Sequence, residues 1–196
     1  MARKGNQIDG VLVLYKPGGP TSTQCLNLLK RRFRPRKIGH AGTLDPMAEG
    51  VLPVLFGRAT KLAAYITSGF KIYKGQLQLG IQTDTYDTQG SIIEEKDWSH
   101  ITKEQVASEI NFWQNLTEQP VPAYSAAKHK GQPLYALKRQ GREVPQKKKE
   151  ISIFRAEILD MDFPRITFRV CCSPGTYIRS LAHSLGSRLG CGAALS

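Results

Sequence analysis

Long hydrophobic runs are missing from this 196-residue chain, and its first residues lead into no apolar core of a signal peptide. A helix that crosses a bilayer takes about 20 consecutive apolar residues, and a secretory signal has an apolar centre of its own. The sequence therefore argues against a membrane-spanning or secreted protein. We expect a cytoplasmic location and no membrane partner.

Cysteine is scarce, and its spacing excludes the usual metal and redox motifs. The four cysteines lie far apart or side by side, at Cys25, Cys171, Cys172 and Cys191, with no Cys-x-x-Cys pair. Structural zinc sites and dithiol redox sites draw on that closer spacing. We expect reduced thiols that mostly fill the core, and no metal centre.

Acidic residues are few relative to basic ones, since 16 Asp and Glu face 28 Lys and Arg for a net charge of +12. Such an excess argues for a polyanionic partner, and RNA, DNA and an anionic membrane all satisfy it. The excess is uneven, because residues 1–61 and 128–149 are basic and residues 84–118 are acidic. This distribution favours one surface for nucleic acid and another for solvent.

Apolar periodicity predicts more strands than helices. Strands are predicted at 10–15, 51–56, 73–81, 91–93, 150–154 and 166–172, the first of them buried. Helices are predicted after capping boxes at Thr21 and Thr102, at 59–68, and after a Thr176 cap. This order predicts an α+β fold around a mixed, largely antiparallel sheet with flanking helices.

The stretch GHAGTLDP at residues 39–46 concentrates two glycines, an imidazole and a carboxylate in eight positions. Glycine allows backbone angles that other residues resist, and Pro46 disfavours α geometry at Asp45. The pattern therefore indicates a stiff loop that presents the Asp45 carboxylate. On composition alone, an ordinary turn before a proline is the better interpretation.

Five blocks, in this order, resemble the TruB family of tRNA pseudouridine synthases. They are the Lys-Pro motif at 16–22, the loop at 39–46, its continuation at 50–54, Tyr73 within 71–74, and GTYIRSL at 175–181. One block would be weak support, whereas five over most of the chain make coincidence a poor explanation.

The resemblance implies the pseudouridine synthase fold and isomerisation of a flipped-out uridine in the T loop of tRNA, at position fifty-five. It makes Asp45 the catalytic carboxylate, pairs Arg179 with it, and sets Tyr73 against the target base as a candidate for proton transfer. It makes His40 the residue that fills the space left in the RNA loop. It implies no cofactor and no metal.

The resemblance also implies where RNA binds. The basic and aromatic segment 123–149 corresponds to an RNA-gripping thumb-loop insertion within one catalytic domain, 1–196, which stops short of the family's C-terminal PUA domain. We expect the T arm of tRNA as partner, and a monomer. Contacts with RNA are expected from Lys16, His40, Thr43, Lys128, His129, Lys130 and Tyr177.

Several alternatives stay open at this stage. Without the resemblance, Tyr73 is better interpreted as a core tyrosine. For Arg179, an exposed arginine is the lesser alternative, because a cation in the first turn of a helix favours a specific carboxylate partner. A basic RNA-binding module without catalysis would explain the charge. A glycoside hydrolase would need a second carboxylate, for which Glu49 is a weak candidate. Tyr15, Met47 and Glu49 depart from the usual family pattern.

Overall fold

A computed structural model of the chain describes residues 5–196. The chain divides into two compact units, Met1–Gly69 and Phe70–Ser196. Among the described residues, no helix is both long enough and apolar enough for a bilayer crossing. All four cysteines are free, and Cys25, Cys172 and Cys191 are buried, which confirms the prediction of reduced thiols in the core.

The first unit is a three-stranded antiparallel sheet with helices. Its elements are β1 (Gly10–Lys16), α1 (Ser22–Phe33), β2 (Ile38–His40), β3 (Gly50–Phe56), a 3-10 helix (Gly57–Leu62) and α2 (Ala63–Ser68). The strand order is β1-β3-β2, so β3 is central. The capping box predicted for α1 is confirmed, because the side chains of Thr21 and Gln24 each accept the other's backbone N–H.

The outer strand β1 is half exposed, and the prediction of a buried strand there is wrong. Leu12 and Leu14 pack on the core that also contains Cys25 of α1. Val13 is 69% exposed, and Tyr15 is exposed as well. Successive side chains of a strand point to opposite faces, and the core of this unit covers only one face of β1. An apolar run alone does not distinguish an edge strand from a central one.

The second unit is built on a four-stranded antiparallel sheet. Its elements are β4 (Lys71–Leu79), β5 (Ile81–Thr83), β6 (Ile92–Glu95), α3 (Lys103–Phe112), a 3-10 helix (Trp113–Asn115), β7 (Glu118–Pro120), β8 (Lys128–His129), β9 (Gln132–Pro133), α4 (Leu134–Arg139), β10 (Lys148–Glu150), β11 (Ile153–Asp162), β12 (Arg165–Cys172), α5 (Ile178–Leu189) and β13 (Ala193–Leu195). The sheet order is β11-β12-β4-β13, and β5–β6, β7–β10 and β8–β9 form separate two-stranded ladders.

The α+β prediction is confirmed, with the strands divided among several sheets. Every pairing between named strands within residues 5–196 is antiparallel, and parallel pairing is confined to two isolated bridges. The main core lies where apolar residues of α3 and α5 pack against the four-stranded sheet. Tyr73 packs against this core, on the face of β4 that buries Leu77 and Leu79, as the alternation predicted.

The start of α5 differs from the prediction. Tyr177, and not Thr176, is the N-cap residue, and its side chain makes no capping hydrogen bond. The Thr176 hydroxyl instead donates to the Ser173 carbonyl, 2.9 Å away, within the preceding turn. A threonine near a helix start has both choices, so its position in the sequence does not decide between them.

The segment 123–149 contains regular structure. It carries the β8–β9 hairpin and the helix α4, whose Leu134 and Leu137 are buried. The segment extends from the rest of the second unit, with β7 before it and β10 at its end. These two strands pair with each other at the base of the segment. The segment is therefore a folded insertion on a two-stranded stem, and we call it the thumb.

Gly186, in the middle of α5, is expected to resist even the smallest side chain. Glycine-to-alanine changes inside helices usually stabilise by about 1 kcal/mol. Here a Cβ would lie 1.9 Å from the backbone nitrogen of Ala193 in β13. Gly186→Ala is therefore expected to lower the free energy of unfolding by about 1–3 kcal/mol in a urea titration.

The control is Gly69→Ala, since a Cβ at Gly69 meets no atom within 4 Å and the backbone there is extended, with φ −70° and ψ 156°. Its unfolding free energy should change by less than about 0.5 kcal/mol. A Gly186→Ala protein as stable as the parent would contradict this account of the contact between α5 and β13.

Candidate active site and RNA-binding residues

The loop that carries Asp45 connects β2 to β3 in the first unit. His40 is the last residue of β2, and one of its ring nitrogens, Nδ1, contacts the carbonyl oxygen of Gly42. Gly42 has φ +105°, a conformation that side chains with Cβ resist. The backbone N–H of Ala48 donates to the Asp45 carbonyl at 3.1 Å. These contacts constrain the backbone before and after Asp45, in the segment where residues 39–46 predicted a stiff loop.

Ser22, the first residue of α1, holds the residue that precedes Asp45. Its buried hydroxyl donates to the Leu44 carbonyl at 3.1 Å and accepts the Leu44 N–H at 3.0 Å. One side chain thereby satisfies both main-chain groups of Leu44. Sequence reasoning treated Ser22 only as part of a motif, because nothing in its neighbourhood reveals a partner 22 residues away.

Lys16 holds the other side of the same loop. The residue is fully buried, and its ammonium donates to the carbonyls of Pro17 at 2.9 Å, Pro46 at 3.1 Å and Ala48 at 2.7 Å. A buried ammonium is costly unless its donors are satisfied, and an ammonium has three donors. In this structure the Lys16 side chain therefore supports the loop and is not available to a phosphate of RNA, contrary to our expectation of an RNA contact.

Tyr15 and Glu49, two of the three residues that depart from the usual family pattern, are hydrogen-bonded to each other. The Tyr15 hydroxyl donates to Glu49 Oε2 at 2.6 Å across the first unit's sheet. The hydrogen bond with Glu49, followed by the negative charge of that carboxylate, raises the pKa of Tyr15. Glu49 thus has a local structural partner, which weakens its candidacy as the second carboxylate of a hydrolase.

In the second unit, Arg179 is 5% exposed, so the alternative of an exposed arginine is wrong. Its Nη1 donates to the Thr85 carbonyl at 2.9 Å and lies 3.6 Å from Oδ2 of the buried Asp87. Its Nη2 donates to the Tyr124 carbonyl in the thumb at 3.2 Å. The guanidinium is thus held between the turn after β5, the thumb and α5.

Asp87 is a residue that sequence reasoning missed. Its Oδ1 accepts the Thr85 hydroxyl at 2.7 Å and the Gln89 N–H at 3.1 Å. Its carbonyl accepts the Thr83 hydroxyl at 2.7 Å. The polar run at 83–90 predicted only a turn. The available signal was the cluster of short hydroxyl and carboxyl side chains, which in turns usually bond to each other and to nearby backbone.

A stacked pair lies beside the Arg179 helix turn. The rings of Tyr86 and His183 are 3.8 Å apart and nearly parallel, at 10°. Tyr86 has φ +66°, an uncommon conformation for a residue with a side chain. Burial lowers the pKa of His183, so its imidazole is neutral near pH 7. The stack therefore supports the unusual turn next to Asp87 without adding charge.

The predicted RNA-binding residues of the thumb lie on its hairpin. Lys128 and Lys130 are exposed and His129 is half-buried. Lys130 occupies the tip with φ +47°. The Lys147 ammonium donates to the Lys128 carbonyl at 2.5 Å and links the hairpin to the end of the thumb. The hairpin thus presents cations on a folded support.

The described part of the chain contains no group of three or more His, Cys, Asp or Glu residues placed to hold a metal ion. A scan for known families matches residues 30–178 to the N-terminal domain of the TruB family pseudouridylate synthases. The chain belongs to the TruB family.

Curated TruB relatives resemble the chain along almost its whole length. It is 57% identical over 191 residues to tRNA pseudouridine synthase B of Oleidesulfovibrio alaskensis. The aligned region covers 97% of this chain and 62% of that protein. It is 44% identical over 188 residues to tRNA pseudouridine synthase B of Clostridium tetani. That aligned region covers 96% of this chain and 65% of the relative. The chain thus spans less than two thirds of the length of these relatives.

Solved structures confirm the TruB-type fold. A Cbf5-Nop10-Gar1 complex contains a chain that is 26% identical, with a TM-score of 0.69, over 95% of this chain and 46% of that chain. An H/ACA RNP bound to a substrate RNA containing 2′-deoxyuridine gives 26% identity and a TM-score of 0.64, over 95% of this chain and 45% of that chain. The pseudouridine synthase fold predicted from the motifs is therefore confirmed.

The predicted site residues divide between the two units. Lys16, His40, Thr43 and Asp45 lie in the first unit, and Tyr73, Tyr177, Arg179 and the thumb residues lie in the second. The structure brings Arg179 together with Asp87. The pairing of Arg179 with Asp45 and the RNA contacts of the remaining residues stay predictions.

Asp87→Asn should strongly destabilise this TruB chain. The change keeps the shape of the side chain but removes the carboxylate that faces a buried guanidinium. Removing one partner of a buried ion pair costs about 3–5 kcal/mol, because the other charge stays buried and loses a compensating carboxylate. We expect a loss of about 3 kcal/mol in the free energy of unfolding, measured by urea denaturation at pH 7.

The matched control is Glu94→Gln, which removes a carboxylate from an exposed pair with Lys96 at 3.1 Å. Exposed pairs contribute little, so the change should be below about 0.5 kcal/mol. Equal effects of the two substitutions would contradict the importance assigned to the buried Asp87.

Proposed function

We propose that the protein isomerises uridine to pseudouridine in the T loop of tRNA, with Asp45 as the catalytic carboxylate. The observation that carries the proposal is that two buried side chains hold the Asp45 loop. The Lys16 ammonium donates to the carbonyls of Pro46 and Ala48. The Ser22 hydroxyl hydrogen-bonds to both backbone groups of Leu44. An aspartate in a passive turn would need no such support. Preorganised placement of a reacting group is a main source of catalytic rate.

The reaction needs no oxidant and no cofactor. The bond between uracil N1 and the ribose C1′ breaks, the base turns, and a bond forms between uracil C5 and C1′. The proton on C5 is released and N1 gains a proton, so the atoms balance. A carboxylate nucleophile divides this change into easier steps through a covalent intermediate. Asp45 has the residue type and the fixed loop for that role.

The other site residues have roles that agree with their surroundings. Arg179, pairing with Asp45, would keep that carboxylate ionised and oriented. Tyr73, half-buried on β4, would pack against the flipped uracil. His40, at the end of β2, would fill the space that the uridine leaves. Thr43, within the same loop, and Tyr177, at the start of α5, would contact the RNA.

The substrate assignment rests on the relatives' activity as tRNA pseudouridine synthases and on the charge of this chain. Extraction of a stacked uridine costs a few kcal/mol, which contacts with phosphates and bases offset. Exposed cations in the thumb and at the end of α1, where Lys30, Arg31 and Arg32 follow one another, suit the T-arm backbone. We further propose that residues 1–196 act as one catalytic unit, in the cytoplasm and as a monomer.

Asp45→Asn should abolish the reaction and leave RNA binding in place. The test is tritium release from a T-arm hairpin labelled at uracil C5. We expect release by the parent and a rate at least about 1000-fold lower for the variant, since loss of a nucleophile removes the covalent route. The dissociation constant for the hairpin should change by less than about tenfold, which is 1.4 kcal/mol.

Glu49→Gln is the control, because Glu49 is an exposed carboxylate in the same loop whose partner is Tyr15. It should release tritium within about threefold of the parent rate, an effect below 1 kcal/mol. Tight hairpin binding without release by the parent would favour an RNA-binding module without catalysis. Appearance of free uracil would favour a hydrolase.

Neutralising the thumb hairpin should weaken RNA binding in a salt-dependent way. Each phosphate contact that is lost lowers the slope of log K against log salt by about one. Lys128→Ala with Lys130→Ala should therefore reduce the slope by about two in a titration of the T-arm hairpin. Lys103→Ala, at the start of α3 in the acidic region, should leave the slope unchanged. Equal slopes for all three proteins would remove the thumb hairpin from the RNA interface.

A further inference from the structure

Gln119 in β7 makes an unusually complete contact with the main chain of a distant residue. Its side chain is buried at 3% exposure. The amide nitrogen donates to the Tyr177 carbonyl at 3.2 Å, and the amide oxygen accepts the Tyr177 N–H at 2.5 Å. One amide thus satisfies both backbone groups of a residue 58 positions away. We call this pair of hydrogen bonds the Gln119 clamp.

The clamp fixes the point at which α5 begins. Tyr177 is the N-cap residue, with φ −93° and ψ 107°, and has no capping bond from its own side chain. Its carbonyl also accepts the N–H groups of Ser180 at 3.1 Å and Leu181 at 3.3 Å, which form the first turn. The orientation of the Tyr177 peptide therefore sets the direction of that turn. Arg179 is the second residue of the turn.

The residue opposite Gln119 in the base of the thumb contacts the same segment. Lys149 of β10 pairs with Gln119, and residues directly opposite in an antiparallel ladder project to the same face. The Lys149 side chain lies over Gly175, where an added Cβ would be 1.8 Å from its ammonium nitrogen. Both strands at the base of the thumb thus contact the turn that leads into α5.

Two further hydrogen bonds continue this contact along the chain. The Ser180 hydroxyl donates to the Pro120 carbonyl at 2.9 Å. Arg179 Nη2 donates to the Tyr124 carbonyl at 3.2 Å. The segment from Gln119 to Tyr124 therefore touches three residues of the α5 start, and one of these contacts is made by the guanidinium itself.

We propose that Gln119 is a positioning residue for Arg179, through which the base of the thumb sets the guanidinium for the chemical step. This inference rests on the proposed function. Gln119 is buried and uses both atoms of its amide in hydrogen bonds to the Tyr177 backbone. It therefore acts on Arg179 through the main chain. A displacement of about 1 Å at a catalytic group can cost about 100-fold in rate, so a clamp two residues from Arg179 has a large effect on the reaction.

The test replaces Gln119 by methionine, which keeps the length and volume of the side chain and removes both hydrogen bonds. The control is Gln105→Ala, which removes the capping-box side chain of α3, where the Gln105 amide oxygen accepts the Thr102 N–H at 2.8 Å. A lost cap costs about 1 kcal/mol of stability, and Gln105 contacts no residue of the α5 start in its hydrogen bonds. The control therefore reports what lost stability alone does.

Three quantities are measured on each protein. They are the single-turnover rate of pseudouridine formation with saturating protein, the dissociation constant of the T-arm hairpin, and hydrogen exchange of the backbone at 175–182. For Gln119→Met we expect a rate about 10- to 100-fold lower, a dissociation constant within about threefold of the parent, and faster exchange at 175–182. For Gln105→Ala we expect a rate within about threefold of the parent.

Two results would overturn the proposal. One is a Gln119→Met rate within about twofold of the parent despite faster exchange at 175–182, since the clamp would then be lost without effect on chemistry. The other is an equal loss of rate in Gln105→Ala, which would reduce the effect to stability. A parent that binds the hairpin and forms no pseudouridine is a separate result, because it defeats the proposed function before either variant is compared.

Discussion

The burial of one guanidinium organises the second unit. Taking a charge out of water is costly, so a buried arginine persists only where acceptors surround it. Arg179 finds them in the carboxylate of Asp87 and in the carbonyls of Thr85 and Tyr124. Those acceptors belong to the turn after β5 and to the thumb. The turn, the thumb and the start of α5 must therefore come together for the charge to be tolerated.

The first unit uses the same physics with a different cation. The Lys16 ammonium is buried, and it donates to the carbonyl of Pro17 and to those of Pro46 and Ala48, which follow Asp45 in the loop. In each unit, a buried cation thus donates hydrogen bonds to the backbone of a loop. Loops normally have more freedom than the strands they connect, and a buried charge with satisfied donors removes that freedom locally. Rigid placement is what a site for covalent chemistry needs.

Local patterns in the sequence predicted the elements well. The capping boxes at Thr21 and Thr102 and the alternation that turns Tyr73 toward the core depend on neighbours a few residues apart, and the structure confirms them. The motif at 39–46 likewise indicated a stiff loop that presents Asp45, because glycine and proline act on the backbone at or next to their own positions.

The contacts that fix the site could not be predicted in the same way. Ser22, Asp87 and Gln119 bind backbone groups or a cation far along the chain, and a serine or glutamine carries no sign of such a partner. The exposure of β1 also depended on the order of strands in the sheet, which an apolar run does not contain. Long-range polar contacts are therefore where the structure added most to the account of the site.

The most direct measurement of the central claim is the position of the modified base. An unmodified tRNA transcript is incubated with the protein, and pseudouridine is located by carbodiimide labelling and primer extension. The account predicts one new stop, at the T-loop uridine, and none in a transcript with cytidine at that position. Pseudouridine at other positions only, or a bound transcript with no pseudouridine, would contradict it.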